Sequence, residues 1–144
     1  MPLRVGGKVV VVKKGAAPKN LQRGNVVVCE IRGFGGDHLY IREGYGFDAV
    51  LALPGDRVRF TTNSFEVNET VYPRLPNMPT SGELVVPEKH WFIWPRLGMD
   101  SHGNIGAVNV SGAMLQTAMV SETQYVGQPY RHWFGRPQLL APKP

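Results

Sequence analysis

The sequence predicts a mostly β fold, and three observations carry that expectation. Its 144 residues include 17 glycines and 12 prolines, which break the chain too often for long helices. Apolar residues make up 42% of the chain, and many stand in short β-branched runs that suit strands, not disorder. Neither a heptad pattern nor an internal repeat is visible, and the length suits one domain with one core.

Taken in order, Val9-Val10-Val11-Val12 and Val26-Val27-Val28 read as strands, joined by the turn-rich stretch Lys13 to Asn25. His38 to Arg42 alternates in the manner of a strand, closed by glycine turns at Gly35-Gly36 and Gly44-Tyr45-Gly46. Strands are then expected over Phe47–Leu53, Arg57–Thr61 and Ser64–Val67, separated by Pro54-Gly55-Asp56 and Thr62-Asn63. Pro73, Pro76 and Pro79 lack the donor a ladder needs, so Tyr72 to Gly82 reads as a long surface loop. Strand character returns over Glu83–Val86, Trp91–Trp94 and Ile105–Val110. Gly112 to Ser121 is the one stretch whose Ala-Met-Leu-Gln content suits a helix, and the expectation there leans to strand. Residues 1–128 form the expected β domain and 129–144 a proline-rich tail, pinned in part by Tyr130, Trp133 and Phe134.

The formal net charge is +5. Arg4, Lys8, Lys13, Lys14, Lys19 and Arg23 all precede the first acid, Glu30, so one end of the chain is basic. Such a bias fits contact with an anionic membrane surface or with nucleic acid, and equally a solvated strand face; it speaks to association and not to fold. Cys29 is the sole cysteine, which excludes an intrachain disulfide and leaves the redox compartment open. The sequence holds neither a run of about 18 apolar residues nor the apolar core of a secretory signal, and reads as a soluble segment.

Three ordered segments carry a resemblance. The first is Gly15-Ala16-Ala17-Pro18 leading to Arg23-Gly24-Asn25 before a strand. In the second, Val50-Leu51-Ala52-Leu53-Pro54-Gly55-Asp56-Arg57-Val58 is followed by Phe65-Glu66-Val67-Asn68. The third runs from Val86-Pro87-Glu88-Lys89-His90-Trp91-Phe92-Ile93 to Asp100-Ser101-His102-Gly103. Together, over about residues 9 to 110, they resemble the type I signal peptidases, in particular the branch that processes pilins in conjugative transfer. The resemblance implies antiparallel β-sheets arranged as a partly open barrel, with long loops and little helix.

Members of that family cleave with a serine and a lysine. The lysine must stay neutral in an apolar pocket, because a protonated ammonium cannot accept the serine proton. Here the nucleophile position falls on Gly15, or on Ala16 if the gap is placed differently, and the base position, counted back from Pro54, falls on Asp48. Neither half of the dyad is intact. A carboxylate without a nucleophile performs no acyl transfer, and Ser64, Ser81, Ser101, Ser111 and Ser121 sit in no equivalent motif. By the resemblance, Asp100 and Ser101 come to lie near the old lysine pocket, with His102 replacing the family's arginine. Pro18, Pro54, Gly55 and Asp56 line the substrate groove or hold its turns; Asp56 is expected to bond its own turn backbone.

The remaining signals are ordinary. His38, His90, His102 and His132 lack paired ligand spacing, so neither a metal nor any other cofactor is expected. Cys29, alternating with Val27 and Ile31, reads as a core thiol. Arg32-Gly33-Phe34-Gly35-Gly36 reads as a loop and not as an aromatic RNA-binding strand. Asn68-Glu69-Thr70 and Asn109-Val110-Ser111 match the glycosylation sequon. Trp91, Trp94 and Trp133 read as core aromatics.

The expectation is therefore a signal-peptidase-like protein without catalysis, binding an extended peptide or pilin precursor as an accessory to a conjugation or secretion assembly. Family members are usually tethered by an N-terminal helix, so either an anchor precedes this segment or this member dispenses with one. An anchor would place it on the extracytoplasmic face of the cytoplasmic membrane. The rivals are an active membrane-associated serine peptidase with a displaced nucleophile, a basic nucleic-acid-binding β domain, and a structural virion or pilus protein.

Overall fold

The computed structural model describes residues 2–5, 8–35, 39–41, 43–94, 99–101 and 107–129, with residues 2, 4, 5, 8–10, 34, 35, 39–41, 99–101 and 107–109 described by backbone alone. The valine runs become strands as their β-branched side chains dictate. β1 (Pro2–Val5) and β2 (Lys8–Lys14) form a hairpin, and β3 (Val26–Ile31) follows the loop of residues 15–25. Next come β4 (Phe34–Gly35), β5 (Leu39–Ile41) and β6 (Gly44–Ala49). After the Pro54-Gly55 turn the chain forms β7 (Arg57–Phe60), β8 (Ser64–Val67) and β9 (Thr70–Pro73), and after a loop β10 (Gly82–Val85). β11 (His90–Phe92), β12 (Met99–Ser101), α1 (Ala107–Ala118), β13 (Met119–Ser121), a 3-10 turn (Glu122–Gln124) and β14 (Tyr125–Pro129) complete it.

Every pairing among the described residues is antiparallel. One sheet has the order β1-β2-β14-β3-β6 and another β10-β7-β8-β9, joined by the smaller groups β11-β13 and β12-β5-β4. The protein is mostly β, and its sheets do not close into a barrel among the described residues.

The main core lies between the inner face of β7, β8 and β10 and one face of α1. Val58, Phe60, Phe65, Val67, Phe92, Met114 and Ala118 meet there, Phe92 edge-on to Phe60 with ring centroids 6.1 Å apart. Burying a side chain such as Phe65 or Phe92 contributes about 2–3 kcal/mol. The loop after β9 caps this core. Met78 is fully buried, and the loop carbonyls accept bonds from Trp94 Nε1 (to Pro76, 2.8 Å), Ser111 Oγ (to Asn77, 2.9 Å) and Arg74 Nη2 (to Met78). A second cluster, Leu21, Val27, Cys29, Val50, Trp91, Ile93 and Val120, packs against one face of β3, and Ala17 and Leu53 join its margin.

Several expectations need correction. Ala107–Ala118 is helical, so the strands expected over Ile105–Val110 and Gly112–Ser121 give way to α1, with strand only at β13. Val108, Val110 and Gly112 lower helix propensity by a few tenths to about 1 kcal/mol each. Half-buried Val110 and buried Met114 and Ala118 recur every fourth residue, so one helical face meets the sheet and that packing prevails. Gly44-Tyr45-Gly46 is no turn but the start of β6. Gly46 stands opposite Cys29, where an added Cβ would meet Ile31 Cδ1 at 2.8 Å, so glycine here permits close approach and not reversal. The expected strand to Leu53 stops at Ala49 and continues only as a bridge between Ala52 and Phe92. Phe34-Gly35 pairs with β5 instead of looping, and Tyr72 and Pro73 extend β9, with Pro73 at its last position. Pro129, assigned to the tail, ends β14. Tyr130, Trp133, Phe134 and the rest of the expected tail lie outside the described residues, as do His38, His102 and His132.

Candidate functional site

The site is built around β6 and the turn that follows it. Val50 bonds Asn25 O through its N–H at 2.9 Å, which keeps the chain beside the start of β3. The Leu51 N–H then donates to Phe92 O at 2.8 Å and the Phe92 N–H to Ala52 O at 3.0 Å, the first bonds with the β11 segment. At Leu53-Pro54-Gly55-Asp56 the chain reverses: the Asp56 N–H donates to Leu53 O at 2.9 Å, and Gly55 takes φ +86°. Proline at the second position and a positive-φ glycine at the third define a type II turn.

Asp56 organises more than its own turn. Its carboxylate accepts from the Leu53 N–H (2.8 Å), from Arg23 Nε and Nη2 (2.8 and 2.7 Å) and from Asn68 Nδ2 (2.9 Å). Partial burial pushes the Asp56 carboxyl upward, but the Arg23, Leu53 and Asn68 hydrogen bonds outweigh it and hold the group below its ordinary value. The loop of residues 15–25, the β6–β7 turn and the β8–β9 hairpin are thereby fastened at one carboxylate. The partnership of Arg23 and Asn68 was not legible in the sequence, since 33 and 12 positions separate them from Asp56.

Gly15 donates its N–H to Val126 O at 3.2 Å and so lies beside β14, with β14 and β3 between it and β6. The chain then folds back: Ala17 packs on the cluster that contains Val27 and Cys29. Ala16 is exposed and Pro18 half-buried in the same loop. Asp48 stands cross-strand from Val27 and therefore shares that face of the sheet. Its Oδ1 accepts the Ala49 N–H at 3.3 Å. Between the strands is a small, almost wholly apolar recess of about 20 Å³, lined among others by Val27, Cys29, Ile31, Gly46, Asp48 and Val120. Ala17 of the loop and Asp48 of β6 thus both adjoin the face of β3 that carries Val27, but Gly15 itself stands across β14 and β3 from β6, so the structure does not bring the expected nucleophile and base positions together.

Burial pushes the Cys29 thiol up to about 12, so it is a protonated wall residue and not a nucleophile. The hydroxyls of Ser64, Ser111 and Ser121 are engaged by Thr61 Oγ1 (2.7 Å), Asn77 O (2.9 Å) and the Thr123 N–H (3.3 Å), and each serves local structure. Asp100 and Ser101 pair with Tyr40 and Leu39 in the β12-β5-β4 sheet, a different sheet from β6, and their side chains lie outside the described residues. The Asn68 amide nitrogen that a sequon needs is spent on Asp56, while the Ser111 hydroxyl of the second sequon is buried on Asn77 O. Among the described residues no three His, Cys, Asp or Glu side chains gather as a metal site, and no helix is long and apolar enough to cross a membrane.

The class these features define is a mostly β domain of antiparallel sheets with one packed helix. No protein-family model matches the chain, and no curated protein matches it.

Proposed function

We propose that this protein is a non-cleaving binding module of the signal-peptidase type, which receives an extended peptide as an added strand along β6. The observation that supports this most is the position of β6: among the described residues it is the last strand of the five-stranded order, and it carries the small apolar recess on one face. Strand addition draws its affinity from main-chain hydrogen bonds and its selectivity from pockets for alternate side chains, so it does not need a catalytic dyad. Glycine or alanine at the nucleophile position and aspartate at the base position remove acyl transfer while leaving such a groove in being.

The corresponding role is accessory: holding a pilin precursor or another secretion substrate within a conjugation or secretion assembly, on the extracytoplasmic face of the membrane if an N-terminal anchor precedes this segment. The exposed Lys13, Lys14 and Lys19 suit an anionic lipid surface nearby. Fluorescence anisotropy with labelled peptides spanning a pilin cleavage region, followed by mass spectrometry of the same mixtures, tests the reading. Saturable binding of peptide that keeps its full mass, abolished by N-methylation of alternate peptide residues, is the expected result. Cleavage of the peptide, or binding indifferent to N-methylation, would overturn it.

A further inference from the structure

At the start of β6 the sheet carries a second depression, of about 360 Å³, on which the groove reading makes no demand. Tyr45 forms one wall and is 52% exposed; it and Val85 are the two large apolar side chains exposed among the described residues. Glu30 is the direct cross-strand partner of Tyr45, which brings their Cβ atoms to about 5 Å. Glu43 also lines the depression, two residues before Tyr45. Neither carboxylate takes part in an ion pair among the described residues, although the chain as a whole carries +5. Arg32, the guanidinium among the described residues that line it, reaches instead to Thr123 Oγ1 at 3.5 Å.

An aromatic face beside two carboxylates attracts a cation by two independent routes, ring quadrupole and charge. Because the depression adjoins β6, its occupant belongs to whatever lies along that strand. We infer that it is a subsite for one basic side chain, arginine or lysine, of the peptide held on β6, stacked on Tyr45 and reaching Glu30 and Glu43. A planar guanidinium satisfies both the ring and a carboxylate fork, so arginine is the better occupant. The inference rests on the strand-addition reading and names the class of peptide that the same site selects.

The test uses labelled nine-residue Ala/Ser peptides in which one arginine is scanned along the chain, with alanine and glutamate at the same positions as controls. One arginine position should bind about fivefold tighter than its alanine control, and the glutamate peptide should bind more weakly than alanine. The gain should fade at high salt. It should vanish in Tyr45→Ala and in the double variant Glu30→Gln/Glu43→Gln, the latter keeping its affinity for the alanine peptide. Equal binding of arginine, alanine and glutamate peptides at every position overturns the subsite and leaves strand addition standing. A gain that survives both variants places the basic side chain elsewhere and also overturns it. Failure of every peptide to bind removes the β6 reading itself, and the subsite with it.

Discussion

At Asp56 four donor atoms, from its own turn and two distant parts of the chain, meet one carboxylate, so its removal is felt well beyond that turn. Replacing Asp56 with alanine strands Arg23 and Asn68 and leaves the Leu53 N–H without its acceptor, and should cost about 2 kcal/mol in urea unfolding. Arg23→Ala should cost less, about 1 kcal/mol, because the Arg23 side chain is 44% exposed and water screens its half of the pair. The pH dependence follows from the lowered carboxyl. A group whose folded value lies below its unfolded value contributes fully above the unfolded value, about 3.9, and loses that contribution as pH falls through the folded one. The stability gap between the natural protein and Asp56→Asn should therefore be flat from about pH 7 to 5 and shrink below about pH 4. Cys29 gives a second test. With its thiol raised to about 12 by burial, labelling by a thiol reagent at neutral pH should follow global unfolding in urea and be negligible in its absence. Labelling as fast as that of a free cysteine would show the cluster around it to be open.

The hairpins display how far local sequence dictates an element and where it stops. The β8–β9 turn places Asn68 at φ 53° and Glu69 at φ 116°. Asparagine tolerates that region, but glutamate carries a Cβ where a two-residue hairpin turn favours glycine. Glu69→Gly should stabilise the protein by about 1 kcal/mol in a denaturant midpoint measurement; a loss of stability would mean that the Glu69 side chain contributes more than its backbone costs. The strands β2, β3, β7, β8 and β10 were legible because valine runs and alternation announce them, and the reversal at Gly55 because Pro-Gly-Asp admits few other geometries. The helix was not, because its valines and Gly112 pull against an Ala-Met-Leu content that becomes decisive only when one face finds the sheet. Within the candidate site, the Pro-Gly-Asp turn followed from order along the chain. The Arg23 and Asn68 bonds and the Tyr45 depression depend on which strands become neighbours, and a single sequence does not state that.

Across the whole molecule, the decisive strand is the one furthest along the described chain. β14 lies between β2 and β3, Gly127 pairing with Lys14 on one side and Val28 on the other. A Cβ on Gly127 would stand 2.2 Å from the Lys13 carbonyl oxygen and 2.9 Å from its carbon. Backbone cannot swing aside as a side-chain tip can, so Gly127→Ala should part β14 from β2 and lose at least about 3 kcal/mol, read as a drop in melting temperature. Gly46→Ala should cost much less, because the atom in its way is the movable Ile31 Cδ1. Similar losses from the two substitutions would contradict this account of the sheet.

The order of the strands also bears on how the protein is made. A ribosome delivers β2 and β3 well before the strand that will separate them, so each must wait with main-chain donors and acceptors exposed toward a neighbour not yet synthesised. During that interval the growing polypeptide is most open to mistaken pairing with other chains or to capture by a chaperone. Arrival of residues 125–129 ends this exposure on both sides of the gap in one event.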